Sequence, residues 1–329
     1  AVLSNQINSS IIMKNFQLLI LPLLIYSCES NDKKASSEKE VIAKIEIPIG
    51  LYTTSDVEYH LGEETSGLEG PAVDSDGTLY FVNAFKSRSI GSFDENQRFE
   101  MYIDQLPEGS TGNGIRFGNK GLMYIADYTG HNILQVDPTT KEVSVYAHND
   151  RMNQPNDIAI TSKNIFFASD PDWKNQAGQI WRVGLDKEFV LLETNMGTTN
   201  GIEVSPDEKT LYVNESVQRN IWAYDLTPEG AISNKRLFAK MEDFGMDGMR
   251  CDIKGNLYIT RHGKGTILIL SPEGKTIKEV KLKGTKPSNI AFGGSDGKTC
   301  YVTVQDRGYI ETFKTDHAGR EFMMGSGQK

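Results

Sequence analysis

Cysteine is nearly absent. The chain has three in 329 residues, Cys28, Cys251 and Cys300, and no Cys-x-x-Cys pair, which excludes a thiolate zinc site and a disulfide framework. Cys251 and Cys300 sit in apolar runs and read as buried free thiols. Proline is scarce, at 11, while glycine reaches 31, a balance that fits a turn-rich globular protein rather than a fibrous or disordered one. Basic residues are outnumbered, 35 against 44 acidic, for a formal net charge of -9. Without a clustered basic face nothing is offered to nucleic-acid phosphates, and a small-molecule partner is expected instead. No apolar run is long enough to span a bilayer.

The N-terminus reads as a targeting segment. Met13-Lys14-Asn15 precedes an apolar stretch over residues 16–25, the charge-then-hydrophobe layout of a secretory signal. Residues 1–12 lie ahead of the first plausible start Met. Ile25-Tyr26-Ser27-Cys28 resembles a bacterial lipobox, so Cys28 is expected to carry lipid, with an ordinary signal peptide and an incidental Cys as the alternative. Export follows, to the periplasm or as an outer-membrane lipoprotein, with the acidic residues after Cys28 resembling a surface-export signal. The membrane would be met only through this anchor. Residues 1–28 are thus leader, and the polar residues 29–45 a flexible tether.

From there the chain repeats. Six segments open alike, at Glu69-Gly70-Pro71, Asn113-Gly114-Ile115, Asn156-Asp157-Ile158, Asn200-Gly201-Ile202, Asp247-Gly248-Met249 and Ser288-Asn289-Ile290, spaced 44, 43, 44, 47 and 41 residues apart. A period of this size marks stacked units sharing a core. Within each, a short apolar run leads through a polar turn such as Ser75-Asp76-Gly77 to a second β-rich run such as Leu79-Tyr80-Phe81-Val82, and a third and a more variable fourth run follow. Four antiparallel strands repeated six times, without a convincing amphipathic helix, describe an all-β, six-bladed β-propeller over residues 46–318, followed by a tail at 319–329. Residues 41–59 are expected to supply a strand that closes the ring.

The first strand of a propeller blade lines the central channel, so the opening residues Glu69, Asn113, Asn156, Asn200, Asp247 and Ser288 should form a ring at one height. Asn and Asp also favour turns for local reasons, which leaves Glu69 unexplained. As an oxygen cage, Glu69 and Asp247 supply two negative charges and Asn156 and Asn200 neutral carbonyl oxygens, a set that balances one divalent cation, Ca²⁺ foremost with Mg²⁺, Mn²⁺ and Zn²⁺ open. A ring without Cys or His argues against a closed structural zinc site.

The motifs Glu-Gly-Pro at 69–71, Pro-Asn-Asp at 155–157, Asn-Gly-Ile at 200–202 with Ser-Pro-Asp at 205–207, Asp-Gly-Met at 247–249 and Ala-Phe-Gly-Gly at 291–294 resemble the senescence-marker-protein/gluconolactonase (regucalcin-like) family. The resemblance covers all six blades. It implies that Glu69, Asn156, Asn200 and Asp247 hold the metal and that the chain is a metal-dependent lactonase acting on a sugar lactone. Many lactonases of the family place an Arg where this chain has Gln154, and related phosphotriesterases a His where it has Ser288.

A cation at the channel mouth can polarise a carbonyl and acidify water, with Asp247 as general base. The turns between second and third strands should wall the pocket, with Phe85, Tyr128, Trp173, Glu215, Arg219, Arg261, His262 and Asp306 as candidates alongside Asn113 and Ser288 of the ring. Trp173 suits a rim or plain packing, and His262 a proton donor or a solvated turn. Two further functions stay open: a non-enzymatic binding propeller with structural calcium, and organophosphate hydrolysis as a side activity.

Overall fold

The computed structural model describes residues 52, 55–60, 67–84 and 86–326. Leader, tether, Cys28 and Phe85 lie outside them. Among the described residues, twenty-four strands form six antiparallel sheets of four, a six-bladed β-propeller. In five blades the strands follow chain order from the axis outwards. In the sixth, the outermost strand is Ser55–His60, which pairs with Tyr309–Lys314 through Tyr59↔Ile310 and His60↔Tyr309. The ring therefore closes by joining its two ends, leaving no open edge between first and last blades.

Local chemistry explains the blades. The hairpin inside the first blade turns on Asp74, whose Oδ1 accepts from the backbone of Asp76 and Thr78, both at 2.9 Å. Asp252 repeats this in the fifth blade with Lys254 and Asn256. The core lies in the seams between blades. Tyr124, Ala126 and Ile133 of the second blade pack on Ile158, Phe166 and Trp181 of the third, with the Tyr124 and Phe166 rings 4.6 Å apart. Cys251 and Cys300 are buried free thiols within such seams.

The innermost strands are Glu69–Val73, Gly112–Phe117, Ile158–Ile160, Thr199–Val204, Met249–Cys251 and Pro287–Gly293. Four of them carry a register shift at the ring position, between Glu69 and Ala72, Gly112 and Ile115, Thr199 and Ile202, and Pro287 and Asn289. Such bulges re-aim a side chain, here at the channel mouth. In the third and fifth blades the ring residue instead lies just ahead of the strand, so Asn156 and Asp247 stand on the incoming turn. Glycine after the ring residue reflects crowding: a Cβ on Gly70, itself at φ 54°, would sit 2.0 Å from the Asn113 carbonyl oxygen, and one on Gly248 2.0 Å from Asn289 Oδ1.

The C-terminal stretch read as a tail behaves differently. Arg320–Ser326 form a helix, and Arg320 is buried with its guanidinium bonded to the Ile160 carbonyl oxygen at 2.9 Å.

Candidate functional site

Glu69, Asn156, Asn200 and Asp247, from four different blades, meet at the floor of one cavity of about 460 Å³ at the channel mouth. Glu69, Asn156 and Asn200 are buried, and Asp247 faces the cavity largely buried. The Glu69 Oε2 accepts from the Gly70 amide at 2.9 Å. Backbone bonds fix Asp247: its amide donates to the Thr260 carbonyl at 3.1 Å, and its carbonyl accepts from Asn214 Nδ2 at 2.6 Å.

The electrostatics are strained as an anion pair would be. Burial, and then the nearby Asp157, push the Glu69 carboxyl from its ordinary 4.5 up to about 7, against the Gly70 amide, Asn289 and Arg250, which lower it. Asp247 is pushed well above the carboxylate range by burial first and by Glu69 second, against the hydrogen bond from Asn200. Asn200 thus lies beside Asp247, and its Oδ1 is buried with no hydrogen-bond partner. An orphaned carbonyl oxygen beside two crowded carboxylates is costly for the empty protein and suited to a hard cation. Among the described residues no three His, Cys, Asp or Glu side chains converge, so the donor set is two carboxylates completed by amide oxygens.

The wall of the cavity follows a rule. Asn83, Tyr128, Trp173, Ser216, His262 and Gln305 all line it, and each is the residue directly after the second strand of its own blade. Thr111, Gly112 and Asn113 of the second blade and Gly67 and Ser87 of the first also line it. Trp173 stands beside Tyr128, and burial raises that phenol against the opposing pull of Trp173. His262 bonds Gln305. Its burial, reinforced by Lys286, lowers its pKa against the opposing pull of Gln305 and Asp306, favouring the neutral ring.

Five expected pocket residues stand elsewhere. The Ser288 hydroxyl is fully buried and turned sideways, donating to the Leu68 carbonyl at 2.7 Å and pairing with Thr303 Oγ1 at 2.8 Å, so it seals the junction of first and last blades. Arg219 reaches over the rim to the Glu242 carbonyl oxygen at 2.9 Å and holds the connection into the fifth blade. Glu215, Arg261 and Asp306 likewise anchor loops: Glu215 accepts from Gly197 N, Arg261 grips Asp243, and Asp306 accepts from Thr285 N. Sequence reasoning missed Asn83, Ser216 and Gln305. The residue-after-strand position was the available signal.

Residues 68–306 match the family model described as SMP-30/Gluconolactonase/LRE-like region. The chain belongs to this family. Among its relatives is the gluconolactonase of Zymomonas mobilis, 30% identical over 218 residues, covering 58% of this chain and 60% of that protein's length. The diisopropyl-fluorophosphatase of Loligo vulgaris is 24% identical over 291 residues, covering 79% and 92%. The structure of a calcium-binding regucalcin from Agrobacterium tumefaciens superposes with a TM-score of 0.68 at 20% identity, covering 79% of this chain and 93% of that one, a likeness of fold. The family thus includes hydrolases, and the gluconolactonase among them supports a lactonase-like reading of this member.

A deeper set of channel residues also went unread. Three positions past the ring stand Ala72, Arg116, Ala159, Glu203, Arg250 and Ala291. Arg116, Glu203 and Arg250 are each at most 1% exposed. Asp157 sits above them, with Oδ1 3.0 Å from Arg116 Nη1 and Oδ2 3.5 Å from Arg250 Nη1. A charge inside an otherwise apolar strand, as in Asn-Gly-Ile-Arg-Phe, was the signal.

Proposed function

We propose that this chain hydrolyses a small cyclic ester, a sugar lactone in the manner of gluconolactonases, at the mouth cavity, and that it does so with one divalent cation held by Glu69, Asn156, Asn200 and Asp247. Calcium is the ion this all-oxygen set favours. The observation that carries the reading is the convergence of those four side chains on the cavity floor, with the Asn200 oxygen buried and unpartnered. A bound cation would supply polarisation of the lactone carbonyl and acidification of water.

The protein's own groups do the rest. Asp247, which lines the cavity floor, takes the proton of the attacking water as its oxygen bonds to the carbonyl carbon. That proton passes to the ring oxygen as the ester C–O bond breaks, giving the open hydroxy acid. Asn113, Tyr128, Trp173, His262 and Gln305 offer donors and acceptors to sugar hydroxyls. From the leader sequence we also infer export and lipidation at Cys28, with no nucleic-acid partner.

Purified protein should be assayed on a panel of aldonolactones in calcium and in EDTA. Turnover is expected in calcium and lost with chelator, and Asp247→Asn should reduce kcat at least 100-fold, within the usual worth of a general base. Turnover that survives both chelation and Asp247→Asn would overturn the mechanism. No turnover of any lactone by a calcium-loaded protein would favour the binding propeller instead.

A further inference from the structure

The end of the channel away from the cavity is charged, buried and closed by the C-terminal helix. Glu321 reaches both inner arginines, with Oε1 2.7 Å from Arg116 Nε and Oε2 3.5 Å from Arg250 Nε. Its neighbour Arg320 lies 3.6 Å from the Glu203 carboxylate and 2.9 Å from that of Glu208. The two arginines held by Glu321 are the ones that grip Asp157, and Asn289 bridges onward by donating to Asp157 Oδ2 at 3.4 Å while lying close enough to Glu69 to draw its carboxyl pKa down. Arg250 also bonds Asn289 Oδ1 at 3.1 Å. Charges therefore alternate along the axis: the cage carboxylates and Asp157, then Arg116 and Arg250, then Glu321 and Glu203, then Arg320.

We propose that the C-terminal helix is part of the cation site, with Glu321 acting as a positioning residue that, through Arg116 and Arg250, sets how tightly the cage at the other end holds a divalent cation. This rests on the metal reading above. The contacts form one chain that is buried from the cage through Arg116, Arg250, Glu203 and Arg320 and partly exposed only at Glu321 and Glu208, so a unit charge added or removed at its base is only partly screened and is felt at the cage. Fully buried guanidiniums also need their partners for geometry: freed from Glu321, Arg116 and Arg250 would be drawn further onto Asp157 and Asn289, the groups that abut Glu69.

The test uses opposite signs. Glu321→Gln removes a negative charge from the stack and should weaken calcium binding about tenfold, whereas Arg320→Gln removes a positive charge from the same helical turn and should tighten it about threefold, magnitudes appropriate to one partly screened buried charge. Calcium affinity of the full chain is read by isothermal titration calorimetry, and unfolding in EDTA confirms that each variant is folded. A helix that merely plugs the channel would weaken both variants alike. Shifts in the same direction, or Kd values within twofold of wild type, overturn the proposal. If one variant fails to fold, the sign of the other decides. Wild-type protein that takes up no calcium overturns the metal reading and this inference together, while wild-type uptake with unshifted variants overturns this inference alone.

Discussion

Replacing Glu69 by Gln should make the metal-free protein more stable and the metal-loaded protein less so. Glu69 is buried beside a second carboxylate, and its pKa rises from 4.5 to about 7 in the metal-free fold. The folded state then binds that proton more tightly than the unfolded chain, so metal-free stability falls as pH climbs from about 4.5 to about 7 and stays low above it. At about 1.4 kcal/mol per pH unit, ionised Glu69 costs the empty fold about 3 kcal/mol at pH 8. Glu69→Gln removes that cost and keeps the shape. Calcium at about 1,000 times its Kd would add about 4 kcal/mol to the wild type and little to the variant, enough to outweigh that cost. Urea unfolding at pH 8 in EDTA should rank the variant above wild type, and in calcium the order should reverse. At pH 4 in EDTA the two should converge. A variant less stable than wild type in EDTA at pH 8 would refute the assignment of Glu69 as a strained, cation-awaiting carboxylate.

Two further outcomes follow from the same structure. Phe166 is fully buried in the seam between second and third blades, against Tyr124 and Tyr146, so Phe166→Ala should cost about 3–5 kcal/mol in urea unfolding; a loss under about 1 kcal/mol would mean the seam repacks. His262 has a lowered pKa, so the unfolded chain binds its proton more readily, and its contribution to stability is full above about pH 6.5 and lost as the pH falls towards the depressed value. Subtracting the pH–stability profile of His262→Asn from that of wild type should expose that loss, and a flat difference would place His262 in open solvent.

Much of the propeller was written locally. A period near 44 residues, hairpin turns built on Asp74 and Asp252, and apolar second strands such as Leu257–Arg261 are short-range patterns, and each blade obeys them independently. The four residues that meet on the cavity floor were legible for the same reason: a polar side chain opening an apolar strand in every repeat has no local use that accounts for Glu69. The wall was half legible. Tyr128, Trp173 and His262 face the cavity as expected, while Arg219 and Ser288 turn to backbone carbonyls that lie near them only once blades pack.

What the amino-acid sequence determined by itself is the repeat, the strands and the polar residue that opens each blade, because these depend on residues within a few positions of one another. What only the tertiary structure decided is the direction of side chains at blade junctions and the whole inner stack, in which Arg116, Asp157, Arg250 and Glu321 come together from three blades and the C-terminal helix. A buried charge is tolerable only opposite its partner, and these partners lie tens to hundreds of residues apart, so nothing short of the closed ring brings them together.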